Sequence, residues 1–128
     1  MIVGTPKEIP GEVRTGSHGG TGTYFVRTLL DAVPGSAFRY VRDLTLEPGA
    51  SIGDHLHQGD DEVYFLIAGA GIATVDGEER LVEAGAAILT KSGSRHALRN
   101  TGAEPLRIFV ACAGTPKETR RYSAGIAA

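Results

Sequence analysis

The chain has 128 residues, the size of one compact domain, with 41% hydrophobic and 22% charged residues and 18 glycines. A formal net charge of −2 supplies no attraction for nucleic acid or an anionic membrane, so neither is expected as a partner. The longest apolar-rich stretch, 63–75, is too short and too glycine-broken to span a bilayer, and the single cysteine, Cys112, excludes an internal disulfide.

The N-terminus MIVGTPKEIPGEV lacks the basic segment and following apolar block of a secretory signal, and a cytoplasmic location is expected. Residues 1–22 read as a strand-like N-terminus and a mobile glycine-rich loop, TGSHGGTGT, whose His18 is expected on the surface, with a lid residue closing over a site as the alternative. No stretch keeps a 3.6-residue apolar period over three turns, so helices should be few and short. Strand-like runs follow instead. Residues 22–30 (GTYFVRTLL) are aromatic and β-branched, and 38–46 (FRYVRDLTL) run from the Pro34-Gly35 turn to Pro48-Gly49. Next come 62–67 (EVYFLI) and 71–75 (GIATV), then the Asp76-Gly77 pair, which suits a tight hairpin, and 79–82. The set closes with 86–90, 96–100 and 106–112, the last placing Cys112 as a small core residue. Short strands with frequent turns predict an all-β sandwich or barrel over 23–113, with 114–128 as a flexible C-terminal tail.

The chemistry concentrates in GASIGDHLHQGDDEVYFLIAG. Residues two apart on a strand share a face, so His55 and His57 project together and Leu56 points away. A hairpin-like return through Gln58-Gly59-Asp60-Asp61 would bring Glu62 beside them. Two nitrogens and one oxygen suit divalent iron, manganese, nickel or zinc, although the same spacing also describes two solvent-facing histidines. His96, in GAAILTKSGSRHALRN, adds a third imidazole at another junction of turn and strand.

The pattern Gly49-x5-His55-x-His57-x4-Glu62-x6-Gly69 resembles the first conserved motif of the cupin superfamily, and Gly85-x5-Lys91-x-Gly93-x2-His96-x3-Asn100 resembles the second. Lys91 stands where that motif usually has proline, a turn-shaping position and not a metal ligand. The resemblance spans about residues 38–112 and implies a single-domain jelly-roll β-barrel, with 23–113 as the cupin domain. It also implies one divalent metal, manganese or iron before nickel or zinc, on His55, His57, Glu62 and His96. Asn100 would hold the turn. Such a set leaves open positions for water or substrate.

Around that centre, alternation in EVYFLI puts Tyr64 and Leu66 on the side of Glu62, making Tyr64 a candidate catalytic residue. In FRYVRDLTL, Arg42 shares a face with Phe38, Tyr40, Leu44 and Leu46, where it can receive a carboxylate or phosphate of a substrate. Lys91 and Arg95 flank the second motif near the expected barrel mouth. The expected function is a metal-dependent enzyme acting on a small organic acid or oxygenated metabolite, by dioxygenase- or decarboxylase-type chemistry. The strand pattern is similar to that of small oxalate-decarboxylase-type cupins. Two alternatives stand beside it: a non-oxidative isomerase, lyase or cyclase of a biosynthetic pathway, and a non-catalytic binder of small ligands. A homodimer is expected, with residues 22–30 pairing along a second subunit's sheet edge.

Overall fold

A computed structural model describes residues 1–114; the expected tail, 115–128, lies outside the described residues. Ten strands form two antiparallel sheets facing one another. They are β1 (Glu12–Thr15), β2 (Thr23–Asp31), β3 (Phe38–Leu46), β4 (Ser51–Leu56), β5 (Asp60–Ala68), β6 (Ala70–Val75), β7 (Glu78–Glu83), β8 (Ala87–Thr90), β9 (Arg95–Asn100) and β10 (Leu106–Gly114). The larger sheet has the order β1-β2-β3-β10-β5-β8 and the smaller β4-β9-β6-β7. This is the all-β architecture that the turn-punctuated sequence predicts and the jelly-roll barrel that the cupin resemblance implies. One short 3-10 turn, Ser17–Gly19, interrupts the strands, and no described helix is long and apolar enough to cross a membrane.

Alternation of side chains builds the core and, in the same stroke, the site. On β5 the buried positions are Asp60, Glu62, Tyr64 and Leu66; on β9 they are His96, Leu98 and Asn100. The polar ligand candidates therefore share parity with Leu66 and Leu98, both fully buried together with Leu46, Leu106 and Ile108. Burying each such side chain is worth roughly 1.5–3 kcal/mol, so strand register, and with it the aim of Glu62 and His96, is held by the apolar interior. Asn100 fastens the far end: its side chain donates to the Leu46 and Glu104 carbonyls at 3.0 and 2.9 Å and accepts from Gly102 N–H at 2.9 Å. Asp76 and Gly77 both take positive φ, 48° and 81°, closing the β6–β7 hairpin as expected.

The glycine-rich segment meets β4, where Ser51 N–H donates to the Thr21 carbonyl at 2.8 Å and Thr21 N–H to Ser51 Oγ at 2.9 Å. Three readings need correction. β2 does not offer a free edge to a second subunit along its whole length, because β3 pairs one side and β1 covers Thr23–Val26 on the other. Residues 57–59 do not form a hairpin; they carry the chain from the smaller sheet, which holds β4, to the larger, which holds β5. Phe38, read as facing the core, is 49% exposed, because a register shift on β10 at Cys112/Ala113 disturbs the pairing beyond Tyr40.

Candidate metal centre

His55 comes from β4, His57 from the connection just after it, Glu62 from β5 and His96 from β9. One ligand atom of each lies within 4.8 Å of all the others. His96 Nε2 is 3.0 Å from His55 Nε2 and 3.1 Å from Glu62 Oε1, and His57 Nε2 is 3.1 Å from that same oxygen.

The outward atoms of these groups are all occupied. The Gly53 carbonyl lies 2.8 Å from His55 Nδ1, Asp60 Oδ1 2.7 Å from His57 Nδ1, and Thr90 Oγ1 2.7 Å from His96 Nδ1. Protons placed on the three Nδ1 atoms leave three Nε2 lone pairs aimed inward at a carboxylate oxygen. Asp60 is held in turn by Arg39 at 2.9 Å, and Glu62 Oε2 accepts from the Tyr40 hydroxyl.

Acceptors converging without a donor are unfavourable in a protein interior. His57 Nε2 and Glu62 Oε1, though 3.1 Å apart, lack hydrogen-bond geometry and remain unpartnered while buried. Each such group costs roughly 1–3 kcal/mol. A divalent cation at the convergence relieves all four, and three imidazole nitrogens with one carboxylate suit such an ion. The residues present fit a metal.

Protonation states agree with that role. Burial lowers the pKa of His55 to about 4, against the Gly53 carbonyl, which favours the charged ring, and with help from the neighbouring histidines. Burial alone would raise the Glu62 carboxyl, but the adjacent His96 ring, the hydrogen bond from the Tyr40 hydroxyl and the nearby imidazoles hold it below the usual carboxylate range. Burial, then the Glu62 charge, pushes the Tyr64 phenol well above its ordinary value, keeping it an O–H donor 3.4 Å from His96 Nε2.

A small cavity of about 50 Å³ opens beside these groups and is lined by Arg14, His18, Tyr24, Arg42, Tyr64 and their neighbours. A larger one, about 540 Å³ between β7 and β8, touches none of the four ligand candidates, whereas the smaller is lined by His55 and Glu62. Arg42 reaches the small cavity as its strand parity predicts. Its Nε donates to Thr28 Oγ1 at 3.1 Å and its guanidinium stacks 3.7 Å from the Tyr40 ring centre. Among the described residues no carboxylate pairs with Arg42, whereas Arg14 is tied to Glu12 at 2.6 Å. Arg95, read as a mouth residue, pairs with Asp54 at 2.6 Å on the surface, and Lys91 is exposed.

Two contributors escaped the sequence reading, and a third, His18, stood in it only as the alternative of a residue closing over the metal. His18, expected as a mobile surface residue, is exposed yet stacks on His55, ring centres 3.9 Å apart and planes 12° from parallel. Arg14 enters from β1, a strand with no apolar alternation to announce it. Tyr40 was visible as a residue on the Arg42 face; its bond to Glu62 required the register of β3, β10 and β5.

An all-β barrel enclosing a three-histidine, one-glutamate cluster defines a class of metal-capable jelly-roll proteins. The Cupin_2 (Cupin domain) family model matches residues 42–112, and the chain belongs to this family. The oxalate-binding protein of Thermotoga maritima is 34% identical over 97 residues, covering 74% of this chain and 79% of that one. The tetracenomycin polyketide synthase protein TcmJ of Streptomyces glaucescens is 32% identical over 74 residues, 58% of this chain and 50% of that one. Among solved structures, a predicted oxalate decarboxylase from Thermotoga maritima superposes with a TM-score of 0.83 at 29% identity, covering 90% of this chain and 100% of that one. The family match contains the four ligand candidates, Arg42 and Tyr64, but neither Arg14 nor His18.

Proposed function

We propose that the chain is a metal-dependent enzyme acting on a small organic acid of the oxalate class, by decarboxylase- or dioxygenase-type chemistry. The observation that carries this reading is the Arg42 guanidinium, which has no carboxylate partner among the described residues and lines the same cavity as His55 and Glu62. A cavity holds one water in roughly 10–15 Å³ of such volume. About 50 Å³ therefore takes a ligand of few heavy atoms, and the guanidinium fork matches a carboxylate. The oxalate-binding relative supports the same ligand class.

His55, His57, Glu62 and His96 would hold the ion, manganese or iron in preference to nickel or zinc, which would supply Lewis acidity that polarises a carboxylate or carbonyl. Arg42 binds the acid's free oxygens and fixes its orientation. Tyr64 keeps its proton and offers it as a hydrogen bond toward the cavity. Leu44, Ile52 and Val110 line the cavity with apolar surface and limit water. Exposed apolar residues on the edge strands, Leu81 at 71% and Leu89 at 54%, support the homodimer that completes this reading.

A non-catalytic binding role is the second reading. Glu62 is the only carboxylate among the residues lining the cavity, so decarboxylation lacks an obvious second acid to return a proton to carbon. Calorimetric titration of oxalate into manganese- and iron-loaded protein, followed by assay of carbon dioxide and formate, separates the readings. Binding with turnover supports the enzyme, binding without turnover supports the second reading, and no binding at millimolar oxalate overturns both.

A further inference from the structure

We infer that His18 is a size filter over the metal cavity, a specificity-determining residue that admits the shortest diacids and excludes longer ones; this rests on the small-acid reading above. The ring lines the cavity and lies flat on His55 at 3.9 Å. It is not one of the ligand atoms gathered within 4.8 Å, so its contribution is a wall and not a fifth metal bond. It also lies outside the residues matched by the family model, separate from the shared ligand set.

The wall is held in place from behind. His18 has a left-handed backbone, φ 52° and ψ 34°, a conformation uncommon outside glycine though less so for histidine. It persists because the loop is closed on itself and docked on β4. Gly16 N–H donates to the Gly22 carbonyl at 3.1 Å, and the Thr21–Ser51 bonds fasten the loop's far side. The docking surfaces are two glycines. A Cβ on Gly53 would lie 2.1 Å from the His18 carbonyl oxygen, and one on Gly20 would lie 2.3 Å from the Ser51 carbonyl oxygen. Ser17, next to His18, is gripped by the Tyr24 hydroxyl at 2.8 Å. With both flanks fixed, the imidazole occupies the lip of the cavity instead of swinging clear. An acid with one carboxylate among the ligands and the other toward Arg42 fits beneath it. Each added methylene must occupy space that the ring already fills.

The test is the binding of oxalate, malonate and succinate, by calorimetry, to manganese-loaded native protein and to H18N, H18A and H18F, with metal content measured in each. Asparagine tolerates the left-handed backbone, alanine repeats the truncation independently, and phenylalanine keeps a ring at the lip. Native protein is expected to prefer oxalate over malonate by about tenfold or more, the size of a one-methylene discrimination. H18N and H18A should narrow that ratio to within about threefold, and H18F should restore it, all with metal content unchanged. An unchanged ratio in the truncated variants overturns the filter while leaving the small-acid reading intact. Loss of metal from those variants overturns it in favour of a role in holding His55. Failure of native protein to bind any of the three acids removes the small-acid reading and the filter with it.

Discussion

One side of the cavity comes from β4, β5 and β9, and its ligand atoms are backed by partners on nearly every outward atom: Gly53 behind His55, Asp60 and Arg39 behind His57, Thr90 behind His96, Tyr40 behind Glu62. The opposite lip comes from β1, the loop at 16–22 and β3, and its Arg14, His18 and Arg42 are half-buried or exposed. The first side is over-determined by the barrel core. The second is attached to it through a few hydrogen bonds and the close approach of glycine backbones. On the proposed function, metal capture and ligand choice fall to separate segments, and substitutions on the two sides should fail in different ways.

The largest effect belongs to His96→Ala, which removes a ligand that is 2% exposed and leaves Glu62 facing a void. Metal affinity should fall by more than about 100-fold, seen as near-absence of metal after dialysis. Retention of a full equivalent would contradict the centre as described. Thr90→Val keeps the volume and removes only the partner of Nδ1. It should weaken metal binding by about 10–100-fold in chelator competition while leaving the choice among acids unchanged once metal is saturating. On the other side, Arg42→Ala should leave metal content intact and weaken oxalate by about 10–100-fold, the value of a charged hydrogen bond. Equal losses of metal and acid would show that the two sides are not separable. Tyr64→Phe should cost oxalate only about three- to tenfold, and an unchanged titration would remove the phenol from the ligand's contacts. The change that acts least directly on the acid is Gly53→Ala, in which the added methyl must push the loop away. Overpacking of roughly 1–3 kcal/mol predicts a lower melting temperature together with a blunted preference for short acids. A lower melting temperature with an intact preference would mean that the loop's position does not matter to selection.

The ligand side was legible in the sequence because its information is local. Spacing fixes His55, His57 and Glu62 on adjoining segments, alternation fixes the faces of Glu62, Tyr64 and Arg42, and β3 was bounded at Phe38–Leu46 by its own turn residues. The lip was not, because its contacts are made across the fold. β1 is four residues with Val13 68% exposed, so no alternation announces it, and β4 hides among glycine and serine. His18 meets His55 only after the loop folds back onto β4, and composition alone marks that loop as unstructured. Glycine content signals freedom in an isolated chain. Here it also permits two backbones to touch.

Gly53 gathers both halves of the molecule into one residue. Its missing side chain makes room for the His18 carbonyl, and its own carbonyl, 2.8 Å from His55 Nδ1, leaves the other nitrogen of that ring facing the four-residue cluster. A length change in the loop would therefore not stay local: it would press on Gly53, whose carbonyl is the partner of a candidate metal ligand. Insertions at 16–22 are expected to carry a penalty at the metal, so variation in ligand choice should come through side-chain replacement on a loop of constant length.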